Sequence, residues 1–502
     1  MNKKILNFSD LKNIRNKFNK KKIVLAHGTF DFFHYGHLKH FEKSKQKGDI
    51  LVVSLTADRF VRKGPGRPVY NQSKRAEIIS SISFVDYIVI SNSLSGNEVI
   101  KTLKPNYYSK GIEYKNKKND YTNKISKEEE NVKKNGGMIF YTNEEVFSAS
   151  KLINELSTNK NLKRSSFIQK FKNKNNFLNI YNDFKKINNK KILIIGDAIL
   201  DEYVFTTALA KSPKEELISV KEDKRKIYFG GILATAQHIS NFVEKPTLLT
   251  VVGNETKTNL LIKKNLKHKM NLILFEDKNR KNIIKTRFLD TNKKKLFQSN
   301  EVPFKDINID LEKKIFNYLN KSLKNFDLVI INDFGHGLLT SKLRRLIEKK
   351  SKKLAINVQT NSANLGFNFF DKYKKCDYLT MDEPEARIAT KERFGSTELL
   401  LKKILSKIKA KKVAITFGPN GTKIYSKKKI FYVPSLTSNA VDTLGAGDAF
   451  FAISSIYTLI NNDAENIAFI GNTSGALKIQ YVGHEKYIKP DVFFEYLKSL
   501  LS

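Results

Sequence analysis

The stretch Asn439–Phe450, N-A-V-D-T-L-G-A-G-D-A-F, constrains this chain more than any other. It follows a β-branched and aromatic run, Lys429–Pro434, and opens an apolar helical pattern over Asp448–Ile460. That is a strand, a glycine-rich turn and a helix start. Gly445 and Gly447 can take backbone angles closed to other residues and let a ligand approach the main chain. The amides of such a turn, at the positive end of a helix, form a ready anion site. Asp448 stands beside that site. A carboxylate there can accept a proton from an alcohol while the amides hold the charge of a phosphoryl group. It can equally cap the helix, as Asp often does.

The full D-T-x-G-A-G-D-x-F string resembles the signature of the ribokinase/PfkB family of sugar kinases. The resemblance implies that Asp448 is the catalytic base and that Gly445, Ala446 and Gly447 form the anion hole. From Pro246 strands and helices alternate, the mark of a parallel α/β sheet. Strands are expected at Thr247–Val252, Asn271–Phe275, Leu328–Ile331, Leu354–Val358, Tyr378–Met381 and Val413–Phe417. Lys191–Ile195 opens this domain and ends in Gly196-Asp197, followed by Leu200-Asp201-Glu202-Tyr203. Asp197 and Asp201 either cap and solubilise a loop or, as the family resemblance implies, begin a sugar site. The latter form is closest to heptose kinases, which Ser212-Pro213-Lys214-Glu215 also echoes. Strands at Leu217–Val220 and Lys226–Phe229 would form the family's small lid. Gly230-Gly231 leads into a helix, Ile232–Asn241, where Ala234 stands at the family's sugar-contacting asparagine. Lys285 and Arg287 either reach a substrate phosphate or are solvated strand charges. Asn332–Gly337 resembles the family's D-Y-G-K-G turn, with His336 in place of lysine. Met381-Asp382-Glu383-Pro384-Glu385 resembles its N-x-x-E motif, which implies Mg²⁺ held through water by Glu385 and Asp382. An acidic helix start is the other reading. Thr416, Gly418 and Gly421 resemble the loop near the nucleotide phosphates, and the helices Ala449–Leu459 and Ala464–Ile479 flank the adenine pocket in the family.

The N-terminal part repeats the order of strand, tight turn and helix with different chemistry. Lys22–Ala26 runs into His27-Gly28-Thr29-Phe30-Asp31-Phe32-Phe33-His34-Tyr35-Gly36-His37. His34 and His37 are three apart, so at a helix start they share one face. Two imidazoles there can bind metal, exchange protons or cradle phosphate; a third metal ligand at fitting spacing is not evident. The string G-T-F-D-x-x-H-x-G-H resembles the cytidylyltransferase-like nucleotidyltransferases. That implies that Gly28, Thr29, Phe30 and Gly36 line a nucleotide site and that His34 and His37 stabilise the reacting α-phosphate. Strands are expected at Gly48–Ser54, Val85–Ile90, Tyr107–Gly111 and Met138–Tyr141. The cationic turn Lys63–Pro68 resembles the family's substrate loop, with Lys63 facing phosphate. Arg75 and Lys110 also match family positions. Ser148 and Ser150 precede an apolar helical run and match a hydroxyl-rich turn that holds triphosphate oxygens, although Ala149 departs from it; a plain helix cap is the alternative.

With 502 residues the chain exceeds one ordinary core. The resemblances place a nucleotidyltransferase domain at 1–156, a helical linker at 157–189 and a kinase domain with a small β lid at 190–502. Both domains are expected to be Rossmann-like α/β folds. Ser157–Asn189 has no Gly or Pro and spaces its aromatics helically. One cysteine, Cys376, excludes an intramolecular disulfide and suits a reducing compartment. No apolar run approaches a membrane span and Met1–Lys22 lacks a signal-peptide core, so a cytoplasmic protein is expected. The formal net charge is +41. Its lysines are scattered rather than gathered in one patch, which speaks for solvated faces over nucleic acid.

The pairing resembles bifunctional heptose kinase/nucleotidyltransferases, here with the transferase first. The implied function is synthesis of a nucleotide-activated, ADP-heptose-like sugar for surface glycans such as lipopolysaccharide. ATP and Mg²⁺ would serve the kinase, with CTP or ATP as nucleotidyl donor. Expected partners are a sugar phosphate and nucleoside triphosphates, with a homodimer as a candidate assembly. Two alternatives stand beside it: unrelated substrates for the two domains, such as a polyol phosphate at the transferase, and a kinase domain degenerated into a sugar-phosphate sensor.

Overall fold

The computed structural model describes residues 4–115, 124–143, 162–211, 218–437 and 440–501. Ser148, Ser150, the run Ser212–Glu215 and Asn439 lie outside the described residues. The chain divides into two compact units, Met1–Gln169 with Phe494–Ser502, and Lys170–Phe493.

The first unit is built on a parallel sheet. Its spatial order is Ile5–Leu6, Tyr87–Ser91, Ile50–Thr56, Ile23–Gly28, Tyr107–Gly111 and Met138–Thr142. Ile23–Ala26 and Leu51–Val53 are continuous buried apolar runs, as strands covered on both faces must be. One face packs Leu25, Val52 and Val89 against Val99 and Leu103, and the other packs Val24 and Val53 against Phe41 and Ile79. Ile23–Gly28 pairs with the next strand on one side and with Tyr107–Gly111 on the other. Strand order reverses there, and the crevice outside the carboxyl end of such a strand is where α/β sheets bind ligands. The histidine-bearing turn begins at that end.

The second unit holds a larger sheet, in the order Asn271–Glu276, Thr247–Val252, Ile192–Gly196, Leu328–Asp333, Leu354–Val358, Lys375–Asp382, Lys409–Thr416, Thr422–Ser426 and Lys429–Val433. Pairing is parallel up to Lys409–Thr416 and antiparallel in the final two strands. Here the reversal falls at Ile192–Gly196, directly before Asp197. The helix Ala446–Tyr457 is buried along most of its length.

A second sheet orders Lys295–Glu301, Ile283–Leu289, Ala198–Lys211 and Ile218–Gly230. Two expectations change here. The lid strands expected at Leu217–Val220 and Lys226–Phe229 are one strand, Ile218–Gly230, antiparallel to Ala198–Lys211. Its middle reads K-E-D-K-R-K and is exposed, so the apolar alternation that marks a strand is missing; the backbone ladder carries it instead. Arg225 reaches Glu202 across the ladder at 3.0 Å. Asp201 likewise sits within a strand and not in a solvated loop.

The segment between the two sheets forms the helices Leu162–Lys174 and Phe177–Ile187. Asn176 caps the second by accepting the Asn179 amide at 2.8 Å. Its apolar stripe, Ile180, Phe184 and Ile187, is buried in the second unit. The Phe184 ring lies 5.3 Å from those of Tyr457 and Phe493 and 5.4 Å from that of Phe242. No helix among the described residues is long and apolar enough to cross a membrane.

Truncating a buried aromatic leaves a cavity that neighbours fill only in part. Phe184→Ala should therefore lower the stability of the second unit by about 3–5 kcal/mol in chemical denaturation. Leu178→Ala, on the exposed side of the same helix, should change it by less than about 0.5 kcal/mol.

Candidate active sites

In the second unit a cavity of about 480 Å³ collects residues from distant parts of the chain. Asp448, on the first turn of Ala446–Tyr457, lines it and is buried. It does not cap the helix. Its Oδ1 accepts from Asn332 Nδ2 at 2.9 Å and from Gln359 Nε2 at 2.7 Å. Both donors follow from strands of the main sheet, and Oδ2 takes no partner among the described residues. Asn332 is itself steered by Thr235 Oγ1 at 3.1 Å. Gly445 takes the left-handed angle φ 76° and starts the helix; an added Cβ there would meet the His484 ring at 2.7 Å. Gly445 and Gly447 line the cavity, and the space where a Gly447 Cβ would stand is open.

Lys285 and Arg287 are buried lining residues, not solvated strand charges. Arg287 pairs with Asp201, whose other oxygen lies 3.3 Å from His484 Nε2. Burial pulls the Lys285 ammonium down, with Asp201 opposing and Arg287 adding to it. Gly230 has no room for a side chain, because a Cβ would lie 2.1 Å from Asp201 Oδ2, and Gly231 lines the cavity beside it. Asp197 lies behind Gly231, buried, accepting the His336 amide at 3.2 Å. Burial, then Asp333, pushes its carboxyl up to about 6. His336 is buried; burial and the nearby Lys285 and Arg280 pull it down to about 3, so it is neutral. Arg280 donates to its carbonyl at 2.6 Å.

Asp382 and Glu385 both line the cavity and also form a reciprocal cap. Glu385 Oε2 accepts the Asp382 amide at 2.9 Å, Asp382 Oδ1 accepts the Glu385 amide at 2.7 Å, and Thr360 donates to Glu385 Oε1 at 3.0 Å. Burial and the neighbouring Asp382 hold the Glu385 carboxyl above its usual range. Burial comes first in raising the Asp382 carboxyl as well, with Glu383 adding to it and the Glu385 amide opposing. Two such carboxylates present the hard oxygen donors that suit a divalent cation sharing phosphate ligands. The acidic helix start is therefore observed, and the same two residues face the cavity. Thr416 lines the cavity, whereas Ala446, Gly418 and Gly421 do not. Gly418 and Gly421 shape a turn: Gly421, at φ 85°, accepts the Phe417 amide at 2.8 Å and would clash with the Val433 carbonyl if it bore a Cβ. Gln359, Arg280 and His484 carry no motif, and no pattern in the sequence marks them.

In the first unit the helix Tyr35–Lys45 starts just after His34. The His34 and His37 rings stack at 3.7 Å. Burial, the adjacent His34 and then Lys63 keep His37 far below its usual range, and burial and Lys63 lower His34. Both are neutral at pH 7, and Lys63 is near enough to act on each. Phe30 and Phe32, neither a glycine, take left-handed angles of 45° and 49° in this turn. Phe30 packs edge-on to His37 at 5.3 Å, and its ring would stand 3.0 Å from a Cβ at Gly28.

The turn is braced from behind. Asp31 accepts from Arg67 at 3.0 Å and from the Val69 amide at 2.8 Å, tying the histidine turn to Lys63–Pro68. Arg75 is buried and donates to the carbonyls of Thr29, Thr56 and Tyr70 and to Asp58. That places it as a support for the turn, with its donors spent on protein oxygens. Lys63 lends its carbonyl to Ser499 at 3.2 Å, and Gly64 has the Tyr496 ring where a Cβ would go; the sequence holds no hint of this. Lys110 pairs with buried Glu128 at 3.1 Å. Burial alone would raise that carboxyl, but Lys110 and His27 hold it below the usual range.

Residues 189–489 match the pfkB family carbohydrate kinase model, and residues 25–160 match the cytidylyltransferase-like model. The chain is 39% identical over 160 residues to the "Bifunctional protein HldE" of Campylobacter jejuni strain RM1221, covering 32% of each chain. It is 39% identical over 120 residues to the protein of that name from Aliarcobacter butzleri, covering 23% of this chain and 25% of that one. The chain thus spans about a third or less of these curated relatives. Among solved structures, a ribokinase from Thermotoga maritima aligns at a TM-score of 0.49 and 18% identity, over 62% of this chain and 99% of that chain.

The buried carboxyl of Asp197 should leave a pH signature. Its folded value of about 6 lies above the ordinary 3.8, so the folded state binds the proton more tightly. Stability from this group is present below about pH 4 and is lost as pH rises through 6, by roughly 3 kcal/mol. Asp197→Asn should therefore gain on wild type across pH 4–6 in parallel denaturation series, and a constant difference would contradict the assignment.

Proposed function

The chain belongs to the pfkB family of carbohydrate kinases and carries a cytidylyltransferase-like domain beside the kinase; from that premise we propose that it phosphorylates a sugar hydroxyl from ATP and joins a sugar 1-phosphate to a nucleoside triphosphate. The sugar is a heptose or close relative, and the product is a nucleotide-activated sugar for surface glycans. Relatives named "Bifunctional protein HldE" support this reading. The proposed domain limits are 1–156 and 190–502, with a linker between.

For the kinase, the observation that carries the reading is Asp448. Its carboxylate is withdrawn from helix capping, fixed through one oxygen by two side-chain amides, and presented to the cavity through the other. That oxygen accepts the sugar hydroxyl's proton as the new O–P bond forms and ADP leaves. The Gly445 and Gly447 amides, at the positive end of Ala446–Tyr457, hold the charge on the transferred group. Asp201 and Arg287 orient sugar hydroxyls, and Lys285 supplies positive charge to an anionic substrate. Glu385 and Asp382 would hold Mg²⁺, which on binding neutralises nucleotide phosphate charge.

For the transferase, the sugar phosphate oxygen attacks the α-phosphorus and pyrophosphate leaves, so no covalent enzyme intermediate is needed. His34, His37 and Lys63 surround the transition-state charge. Neutral imidazoles donate N–H bonds without needing a proton from solution. Arg75 and Asp31 keep the turn in form.

The deciding experiment offers sugar phosphates with ATP and CTP and identifies products by mass. A nucleotide sugar made from the kinase's own product supports the reading; a cytidylylated polyol with no link between the activities overturns the shared route. Asp448→Asn should cut phosphorylation roughly 100- to 10,000-fold while leaving ATP affinity and pyrophosphate release intact. His37→Ala should cut pyrophosphate release about 100- to 1,000-fold and spare sugar phosphorylation.

A further inference from the structure

Lys478 ends the helix Ala464–Lys478 and is fully buried. A buried ammonium persists only where oxygen atoms replace its water. A lysine at a helix end ordinarily serves the helix's own last carbonyls. This one instead donates to the carbonyl of Leu444 at 3.4 Å and to that of Gly483. The amides of the same two residues go to Asp442: Gly483 at 2.9 Å and Leu444 at 3.1 Å. Lysine and aspartate therefore clamp Leu444 to Gly483 from both polar sides of the backbone. The clamp abuts the phosphate turn, since Lys478 Cε lies 3.2 Å from the place of a Gly445 Cβ. Burial lowers the ammonium to about 8, with Asp442 and Asp448 acting to hold the proton on.

We propose that Lys478 is a positioning residue acting as a built-in monovalent cation: its ammonium, seated on the Leu444 and Gly483 carbonyls beside Asp442, holds the turn before Gly445 in its phosphate-binding form, so that nucleotide binding here requires no free monovalent ion. This rests on the reading of Gly445–Gly447 as the nucleotide phosphate site. Without the ammonium, two carbonyl oxygens would converge with no donor between them and would push the turn apart. A small cation entering from solution could take their place, because it accepts the same oxygen ligands.

The test measures ATP affinity of the full chain by calorimetry, in tetramethylammonium buffer and then with potassium or ammonium added. Wild type should bind equally in all three, within twofold. Lys478→Met should bind at least tenfold more weakly in tetramethylammonium and return to within about threefold of wild type with potassium or ammonium. Lys478→Ala, which leaves more room for an ion, repeats the measurement should the Met variant fail to fold. A wild type that needs potassium, a variant that binds like wild type, or a loss no cation repairs would each overturn the proposal, as would two variants that both fail to fold. Since affinity is read without turnover, a protein that binds ATP in this pattern but phosphorylates no sugar would sink the kinase reading and leave this one standing.

Discussion

Charge buried around the two sites, and kept there by pairing, is the constraint on which both depend. Arg287 with Asp201, Lys110 with Glu128, and Arg75 on three carbonyls and Asp58 are all buried groups with named partners. Removing one member of such a pair leaves the other desolvated, which costs about 3–5 kcal/mol. The same cost makes these groups rigid. A donor that cannot move without losing its partner is already in place when charge develops in a reaction, and needs no reorganisation then.

Backbone conformation is subordinate to that arrangement. Gly445 is left-handed and has His484 and Lys478 packed where a side chain would be. Gly230 has Asp201 in the same place. Phe30 and Phe32 hold left-handed angles without being glycines, because Arg75 fastens the turn at Thr29 and Asp31 fastens it between them. Glu385 and Asp382 show the economy of the design: one pair of carboxylates ends the backbone bonds of a helix and still faces the cavity.

Much of this was legible from local pattern. The central strands of both main sheets are apolar runs between turn residues, whereas Ile5–Leu6 and Thr422–Ser426 show no such run, and the helix after Gly445 announces itself by its apolar period. Asp448, His34 and His37 stand inside strings whose glycines have a backbone reason to be there. The two ends of the lid strand Ile218–Gly230 were legible but its middle was not, because those residues meet solvent and are held by pairing with Ala198–Lys211. Lys285 and Arg287 were ambiguous for a related reason: alternation in a strand tells which residues share a face but not what covers that face.

The sequence by itself determined the two α/β sheets, the two glycine turns at their strand ends, and the carboxylate and imidazoles those turns carry, since each depends on residues within about a dozen positions of one another. Only the tertiary structure decided what those groups touch. Gln359 reaches Asp448 from 89 positions away and Asn332 from 116, while His484 meets Asp201 from the far end of the domain. Whether Asp448 caps a helix or faces a cavity is settled by those amides, and nothing local specifies them. A hydrogen bond is written in the geometry of two chain segments, and a single segment records only that it has a donor to give.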